Sequence, residues 1–372
     1  MSKARELAEL GAVYDSGALS NRNIIINGAM QVAQRGTSAT TFAYGTVDRF
    51  KPSQGSTSSL AITQTQDTNA PSGFSNSLKI TVTTAETMSG SKQLAVFHPI
   101  EAQNLQQLGY GTSEAQYITV SFYVKSSVTG VYCLSLYEND DNRNIGATYT
   151  INSANTWERK TVTFPPDTVG VIDNNNGAGL ELYFFLSVGA DRKTTDNTSW
   201  ATWSAARFGF GQVADVGATT NATWQITGVQ LEVGTEATPF EHRSFGDELL
   251  RCQRYYQETS NATNYSMVGD GTCQSSVVSI LFDYLCEMRT SPSVSALGTN
   301  GSSSWYIQSG STTISTASSA FNGAWAAGTN SQRAWMDWTG VSGQTASSTA
   351  AVYRNNQLTS NKNGCLAFDA EL

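Results

Sequence analysis

The chain has 372 residues, with 22 basic and 30 acidic side chains and a formal net charge of −8. This length allows two domains with sizeable cores, and the acidic balance disfavours nucleic-acid binding, which needs clustered Lys and Arg to release counterions. No run approaches the roughly 18 apolar residues of a membrane span, and the first residues lack the apolar core of a signal peptide. We therefore expect synthesis in a cytoplasm, no membrane insertion and no nucleic-acid partner.

Charged residues make up only 14% of the chain, against about a quarter of a typical soluble domain. Ser, Thr, Asn, Gln and Gly fill the surface positions, which predicts a neutral and polar surface. Such a surface suits extracellular β proteins that contact sugars.

The cysteine pattern predicts neither disulfides nor a metal site. The count is odd and no CxxC pair occurs, so buried free thiols are the favoured interpretation. We expect no cofactor. The five residues are Cys133, Cys252, Cys273, Cys286 and Cys365.

The N-terminal run 2–10 has its apolar residues at helical spacing, and Gly11 ends it. Leu7 and Leu10 are its largest apolar residues. A helix this short is marginal alone in water, so it should dock on a partner. A frayed terminus is the alternative interpretation.

Short β-prone runs bounded by Gly, Asn, Ser or Pro follow the turn signal Asn27-Gly28. In one of them Val120, Phe122 and Val124 alternate with polar residues, so one face should be buried. Many short strands with few helix signals predict a sandwich or barrel, here a jelly-roll β-sandwich. The predicted strands are 59–63, 78–82, 118–125, 131–137, 159–164, 180–188, 208–210 and 223–233, and 98–110 can add a helical turn.

The stretch 230–257 separates two kinds of sequence. Its first part ends a strand at Gly234. Asp247 and Glu248 then precede Arg251 and Arg254, which is the charge order that a helix dipole favours. We interpret this stretch as a joint between two β domains.

The second domain combines predicted strands with a run rich in Gly, Ser and Thr. The strands are 277–284, 349–353 and 365–368, and four tryptophans lie within 295–343. Four indoles offer too much area to bury for a disordered segment, so we expect a compact β knob.

Four phrases resemble segments of tail-fibre and other virion appendage proteins of tailed bacteriophages. They are NRNIIINGAMQVAQRGTS with DRF after it (21–38 and 48–50), the joint from Gln230 through Pro239-Phe240-Glu241 to Tyr256, MRTSPSV (288–294) and the terminal FDAEL (368–372). Together they touch both domains and both ends of the chain. No catalytic motif comes with them.

This resemblance implies a homotrimeric virion protein that acts outside the cell. Residues 1–22, with Leu7 and Leu10, would anchor it to other virion proteins. A domain similar in pattern to carbohydrate-binding modules would occupy 23–243, followed by a short helical joint (244–260) and the knob (261–372). We predict a subunit interface at residues with little sequence to cover them: Leu249, Leu250, Tyr255 and Tyr256.

Glycan binding needs aromatic rings that stack on sugar faces, beside neutral polar groups that bond the hydroxyls. The loop ENDDNRN and the tryptophans meet this description. Burial in the core is the alternative for each tryptophan, since β-sandwiches bury Trp readily. The candidates are Tyr137, Asn139, Asp140, Asn142, Arg143, Trp200, Trp203, Trp305, Tyr306, Trp325, Trp335 and Trp338.

Two other chemistries have weaker support. Glu138, Asp140, Asp141 and Asn142 offer oxygen ligands for calcium, but their spacing matches no helix-loop-helix site, and a solvated turn is favoured. Few residues are available for catalysis, because the chain has two histidines and its sequence shows no paired carboxylates. We expect no metal and no enzyme.

Three hypotheses follow. The first is a non-enzymatic appendage that attaches to host-surface glycans. The second is a capsid-decorating or neck-associated protein that stabilises the particle without binding a receptor. The third, and least supported, is a glycan depolymerase.

Overall fold

A computed structural model describes residue 3 and residues 21–57, 59–259, 267–274, 277–297, 305–309, 312–315, 320–324, 330–339, 349–354 and 365–372. The packing divides the chain into two compact units. The first comprises Met1–Glu248 with Leu372, and the second comprises Leu249–Glu371. Of the predicted N-terminal helix, only Lys3 lies within the described residues.

The first unit contains two six-stranded antiparallel sheets. Sheet A has the order β1-β3-β4-β12-β6-β9 and sheet B the order β11-β8-β7-β10-β5-β2. The strands of sheet A are β1 (Ser38–Ala39), β3 (Ala61–Asp67), β4 (Ser77–Thr84), β6 (Ile118–Ser126), β9 (Glu158–Phe164) and β12 (Thr223–Val233). Those of sheet B are β2 (Lys51–Gly55), β5 (Gln93–Glu101), β7 (Gly130–Glu138), β8 (Arg143–Ile151), β10 (Ala178–Val188) and β11 (Ala201–Thr202).

The core of this unit lies between the two sheets. Phe122 of sheet A meets Phe184 of sheet B edge-on, with ring centroids 5.1 Å apart, and Trp224 lies 6.0 Å from Phe184. All three side chains are fully buried. The chain crosses repeatedly from one sheet to the other, so the predicted all-β jelly-roll sandwich is confirmed.

A polar network, here called the N-terminal clasp, ties the segment 21–28 to residues 239–248. The Arg243 guanidinium donates to the carbonyls of Asn23 and Ile25. Glu241 accepts from the Asn23 N–H at 2.9 Å, and Glu248 accepts from the Asn27 N–H at 2.5 Å. The clasp therefore satisfies backbone groups of a segment that lies outside both sheets.

Asparagine side chains complete the clasp. The Asn23 amide bonds the carbonyl of Val229 and the N–H of Leu231, both on strand β12. Asn27 has a left-handed backbone (φ 61°), and its amide donates to the carbonyls of Val32 and Asp48. Short amide side chains tolerate this conformation and bond locally, so Asn suits both positions.

The clasp predicts a large stability effect at Arg243. The Arg243→Met substitution keeps the apolar stem but leaves Glu241 and Glu248 as partly buried carboxylates without a counter-charge. We expect the free energy of unfolding of the first unit to fall by about 3 kcal/mol, measured by chemical denaturation.

Arg159→Met provides the control for the clasp prediction, because Arg159 is exposed and donates to the Thr238 carbonyl at the surface. Its effect should stay within about 0.5 kcal/mol. Equal effects of the two substitutions would contradict a stabilising role for the clasp.

Helix α1 (Phe245–Gln253) contains the boundary between the units. Ser244 precedes it, and its hydroxyl accepts from the Asp247 N–H at 3.2 Å, as an N-cap does. Asp247 and Glu248 lie in the first turn and Arg251 in the last. Within the predicted helical joint 244–260, residues 245–253 form this helix and residues 256–258 form a short strand.

The second unit also contains two antiparallel sheets, ordered β13-β22-β16 and β18-β17-β21-β14-β15-β20-β19. The first sheet consists of β13 (Tyr256–Glu258), β16 (Ser293–Leu297) and β22 (Cys365–Asp369). The second consists of β14 (Met267–Gln274), β15 (Val277–Asp283), β17 (Trp305–Ser309), β18 (Thr312–Ser315), β19 (Ala320–Ala324), β20 (Arg333–Thr339) and β21 (Thr349–Arg354).

A second polar junction joins three short segments of this unit. Arg289 donates to the carbonyls of Ala370 and Glu371 at 2.7 and 2.9 Å, and its backbone N–H donates to the Arg254 carbonyl. The Ala370 N–H in turn donates to the Tyr255 carbonyl. Arg289 thus donates hydrogen bonds to the carbonyls of residues 370 and 371, as Arg243 does to those of residues 23 and 25.

Some sequence-based expectations were wrong. Residues 208–210 form turns rather than a strand, because Phe208 packs onto the outside of sheet B. In the first unit, strands β1, β2, β5, β8 and β11 were not predicted, and in the second unit only β15, β21 and β22 were predicted. The predicted free thiols are confirmed for all five cysteines, although Cys286 is only partly buried.

Candidate functional site

The outer face of sheet B carries a cluster of aromatic side chains, here called the aromatic platform: Tyr44, Phe97, Tyr137 and Tyr183. The register pairs Tyr183 with Phe97, so both lie on the face opposite the core. Their rings stack at 5.0 Å with an interplanar angle of 11°. Three neighbouring strands thus contribute rings to this face, where Tyr137 and Tyr183 are partly exposed and Phe97 is buried.

Two charged groups lie within the platform. The Lys51 ammonium lies over the rings of Tyr44 (5.3 Å) and Phe97 (5.6 Å). The Tyr183 hydroxyl donates to Glu181 at 2.6 Å. Burial raises the pKa of the Glu181 carboxyl, although the Tyr183 hydrogen bond and the Lys51 charge act against that rise. The platform therefore combines ring faces with a donor and an acceptor.

One side of the platform is closed by residues from the loop after β10. Phe208 packs on Tyr183 (4.8 Å) and on Tyr137 (6.2 Å), and Trp203 lies 6.3 Å from Tyr137. Phe208 is buried, whereas Tyr137, Tyr183 and Trp203 remain partly exposed. These rings form a wall beside the open part of the platform.

Three predicted candidates meet at this wall. The Tyr137 hydroxyl donates to Asn142 Oδ1 at 3.0 Å, and the backbone N–H of Trp203 donates to the backbone carbonyl of Asn142 at 2.8 Å. Asn142 is exposed and left-handed (φ 53°). The structure thus brings Tyr137, Asn142 and Trp203 together.

Trp200 and Trp203, both candidate ligand residues, do not line the same edge. Trp200 packs against the sandwich core beside Tyr110, and its indole N–H donates to the Pro165 carbonyl at 2.8 Å. The two-residue strand β11 separates the two tryptophans. Three residues apart on extended chain, they point to opposite sides. Trp200 is therefore an unsuitable ligand residue.

The remaining candidates of the loop after β7 have partners within the protein. Arg143 forms a bidentate pair with Asp167, at 2.5 and 3.1 Å. Asp140 accepts from the Asp173 N–H at 2.9 Å, and Asn139 bonds the Gly179 carbonyl through its own N–H. These contacts fix the loop, so Arg143 and Asp140 position the platform rather than present free groups, whereas the buried side-chain amide nitrogen of Asn139 has no hydrogen-bond partner among the described residues.

Glu138 lies beneath this loop, fully buried. One carboxylate oxygen accepts from the Asp141 N–H at 3.2 Å, and the other has no hydrogen-bond partner among the described residues. A methyl group on Gly170 would lie 2.2 Å from that second oxygen, so only glycine fits there. Burial, together with the charges of Asp141, Asp167 and Asp140, raises the pKa of Glu138 to about 7, although the Asp141 hydrogen bond lowers it.

The raised pKa of Glu138 predicts that the stability of the first unit depends on pH. Because folding raises this pKa from 4.5 to about 7, the folded state retains a proton that the unfolded state has lost. The free energy of unfolding should fall as pH rises through this window. Glu138→Gln cannot ionise and should escape that fall.

The measurement for Glu138 is the melting temperature of both proteins at pH 5 and pH 8. We expect the melting temperature of Glu138→Gln, relative to that of the natural sequence, to be higher at pH 8 than at pH 5. The same difference at both pH values would show that Glu138 does not titrate with a raised pKa.

The candidates of the second unit divide by strand face. Trp338 is fully buried in its core, which corrects its assignment as a ligand residue. Trp335, three residues earlier on β20, is partly exposed on the other face. Trp305 and Tyr306 lie in strand β17, and Trp325 lies outside the described residues.

The predicted interface residues also divide by exposure. Tyr255 and Tyr256 are buried within their own unit, at 1% and 4% exposure, so no neighbouring subunit is needed to cover them. Leu250 is 52% exposed, and Leu249 is half-buried. Leu7 and Leu10 lie outside the described residues.

The oxygen atoms considered for calcium are used otherwise. Asp140 and Asp141 accept N–H donors from Asp173 and Val171. Within the described part of the chain, no group of three or more His, Cys, Asp or Glu side chains is arranged to hold a metal ion. The same residues include no helix long and apolar enough to cross a membrane.

The sequence matches no family model, and no curated protein matches it. Several solved structures resemble part of the chain. The enzymatically active domain of tailspike protein 4 from bacteriophage CBA120 aligns with 57% of this chain at 13% identity, with a TM-score of 0.33. This chain covers 21% of that protein's length.

Carbohydrate-binding modules give similar values. The family 11 module of a Clostridium thermocellum cellulosomal cellulase aligns over 54% of this chain and 98% of its own length, at 11% identity and a TM-score of 0.28. A C-terminal family 22 module of a xylanase from the same organism aligns over 55% and 98%, at 12% identity and 0.29. These low TM-scores do not assign the chain to a family.

Proposed function

We propose that the aromatic platform of sheet B binds glycans and that the protein does so without catalysing their cleavage. The observation that carries this proposal is the stacked Phe97–Tyr183 pair on an outer sheet face, flanked by Tyr137 and by the polar groups of Glu181 and Lys51. Aromatic rings on the surface of a sheet normally cost free energy unless something covers them.

The chemistry of the platform fits a sugar ring better than an apolar ligand. Phenol rings offer flat apolar surfaces to the C–H faces of a pyranose, while carboxylate, ammonium and amide groups bond its hydroxyls. Glu181 lies on β10 two residues before Tyr183, and Lys51 of β2 pairs with Phe97, so both are within reach of a stacked ring. Binding at this face requires no metal.

We further propose that the chain is a homotrimeric virion appendage. In this proposal the N-terminal residues attach to other virion proteins, and the platform contacts host-surface glycans. The four phrases that resemble bacteriophage tail-fibre proteins support it, and so does the neutral polar surface. Capsid decoration without a receptor remains the competing role, and particles that lack the protein yet adsorb normally would favour it.

Tyr183 provides the direct test of glycan binding. Tyr183→Ala removes one half of the stacked pair and the donor to Glu181. On a microarray of purified bacterial capsular polysaccharides and lipopolysaccharide O-chains, we expect the natural sequence to bind selected glycans. The variant should bind them at least about tenfold more weakly, since a lost stacking contact and hydrogen bond are together worth about 1–3 kcal/mol.

Trp157→Ala is the matched control for Tyr183, because it removes a partly exposed ring near sheet A, where Trp157 bonds Asn69. This variant should bind as the natural sequence does. Loss of binding in the control alone, or no binding by the natural sequence, would refute the platform as the glycan site.

The proposed trimer predicts an effect at Leu250. Leu250→Asp places a charge on the exposed side of helix α1, which should reduce the assembly to monomers while the fold persists. Leu249 is a poorer probe, because it is half-buried and its replacement would destabilise the second unit. Light scattering at micromolar concentration measures the assembly.

Met267→Asp is the matched control, because Met267 is also apolar, in the second unit and 58% exposed. It should leave the oligomer intact. A monomeric natural sequence would refute the trimer, and an intact Leu250→Asp trimer would exclude helix α1 from its interface.

A further inference from the structure

Residues 193–199, here called the strap, cross strand β8 on the platform side of sheet B. Asn197 is the buried residue of the strap, at 1% exposure, whereas Thr195, Asp196 and Thr198 are exposed. The Gly146 N–H donates to the Asn197 carbonyl at 2.7 Å. A methyl group at position 146 would lie 2.0 Å from the Asn197 amide nitrogen. A glycine on β8 therefore allows the strap to lie directly on the strand.

Asn144 lies two residues before this glycine on β8, so its side chain is on the same face of the strand. Its side chain is fully buried, and neither the amide oxygen nor the amide nitrogen has a hydrogen-bond partner among the described residues. Leaving such a group unpaired costs about 1–3 kcal/mol. A buried polar group of this kind in a native fold requires an explanation.

The register places Asn144 next to the platform. Strand β8 pairs Asn144 with Tyr137 of β7 on one side and with Ala201 of β11 on the other. Directly paired residues point to the same face, with their Cβ atoms about 5 Å apart. A sugar ring stacked on Tyr137 would therefore reach Asn144 if Asn197, which lies against the neighbouring position 146, moved away.

The strap is joined to its own loop more than to the sheet. The N–H groups of Thr194 and Thr195 both donate to the Ala206 carbonyl, and the Lys193 ammonium donates to the Gln212 carbonyl. Arg207 donates to the Ser199 carbonyl at 2.6 Å. Much of this bonding can persist while Asn197 lifts from Gly146. Segments with few buried residues are those that open at low free-energy cost.

We propose that Asn144 is a hydroxyl-binding residue of the glycan site and that the strap uncovers it when a glycan binds. The side-chain amide both donates and accepts, so it can bond two neighbouring hydroxyls of one sugar ring. The free protein bears the cost of the unpaired amide, and the bound glycan supplies its partners. This inference rests on the proposed glycan function and adds a residue to it.

The test compares stability and affinity in one variant. Asn144→Leu has a similar volume and removes both unpaired polar atoms. We expect its melting temperature to equal or exceed that of the natural sequence, and its binding to the bacterial polysaccharide microarray to weaken about tenfold. Asn144→Ala serves the same comparison if leucine does not fit. Thr150→Val, on an exposed position of the same strand, should change neither quantity.

Each outcome bears on the inference. Unchanged affinity would overturn it, as would a lowered melting temperature, which would show that Asn144 has a structural partner such as a bound water. If Tyr183→Ala abolishes binding while Asn144→Leu preserves it, the glycan function stands and this inference fails. If the natural sequence binds no glycan on the array, both fail.

Hydrogen exchange provides an independent test of strap opening. Hydrogen exchange of the Gly146 amide should become faster when the array-selected glycan is added, because the bond to Asn197 opens. Slower or unchanged exchange at Gly146 would contradict strap opening.

Discussion

The alternation of side chains along β10 is the constraint on which the proposed site depends. Leu182 and Phe184 are fully buried between the two sheets, so the pleat places Glu181 and Tyr183 on the outer face. A slip of the register by one residue would exchange the two sets and lose both the core and the platform. Packing of the sandwich core thus fixes which side chains of β10 lie on the outer face.

Two arginine-centred junctions organise the chain ends within their own units. Arg243 satisfies carbonyls of the segment 21–28, and Arg289 satisfies those of 370–371. The phrases that resemble bacteriophage appendage proteins coincide with these junctions: NRNIIING, DRF and PFEHR in the first unit, and RYY, MRTSPSV and FDAE in the second. Residues of these phrases therefore hydrogen-bond backbone groups of neighbouring segments. The platform residues lie outside these phrases.

The strand pattern could be predicted where apolar alternation is strong, as in β6, β10 and β12. Strand β8 was missed although buried Ile145, Tyr149 and Ile151 alternate with polar residues along it. Tyr137, Asn142 and Trp203 were found from composition, whereas Tyr183, Phe97 and Tyr44 were missed. Their common face depends on strand register, although the alternation in LELYFF offered a signal for Tyr183.

Spacing explains the tryptophan errors. Trp200 and Trp203, like Trp335 and Trp338, are three residues apart, and extended chain sends the members of such a pair to opposite sides. One member of each pair, Trp200 and Trp338, therefore packs inside the protein. Burial of Tyr255 and Tyr256 was equally invisible, because strand β22, which pairs with β13, comes more than a hundred residues later.

A crystal structure of the full chain with a bound oligosaccharide selected on the glycan array would show directly where the protein binds sugar. We expect a sugar ring stacked on Tyr183 and Tyr137, with its hydroxyls bonded to Glu181 or Lys51. A ring bound instead on sheet A or in the second unit, with the platform empty, would contradict this expectation.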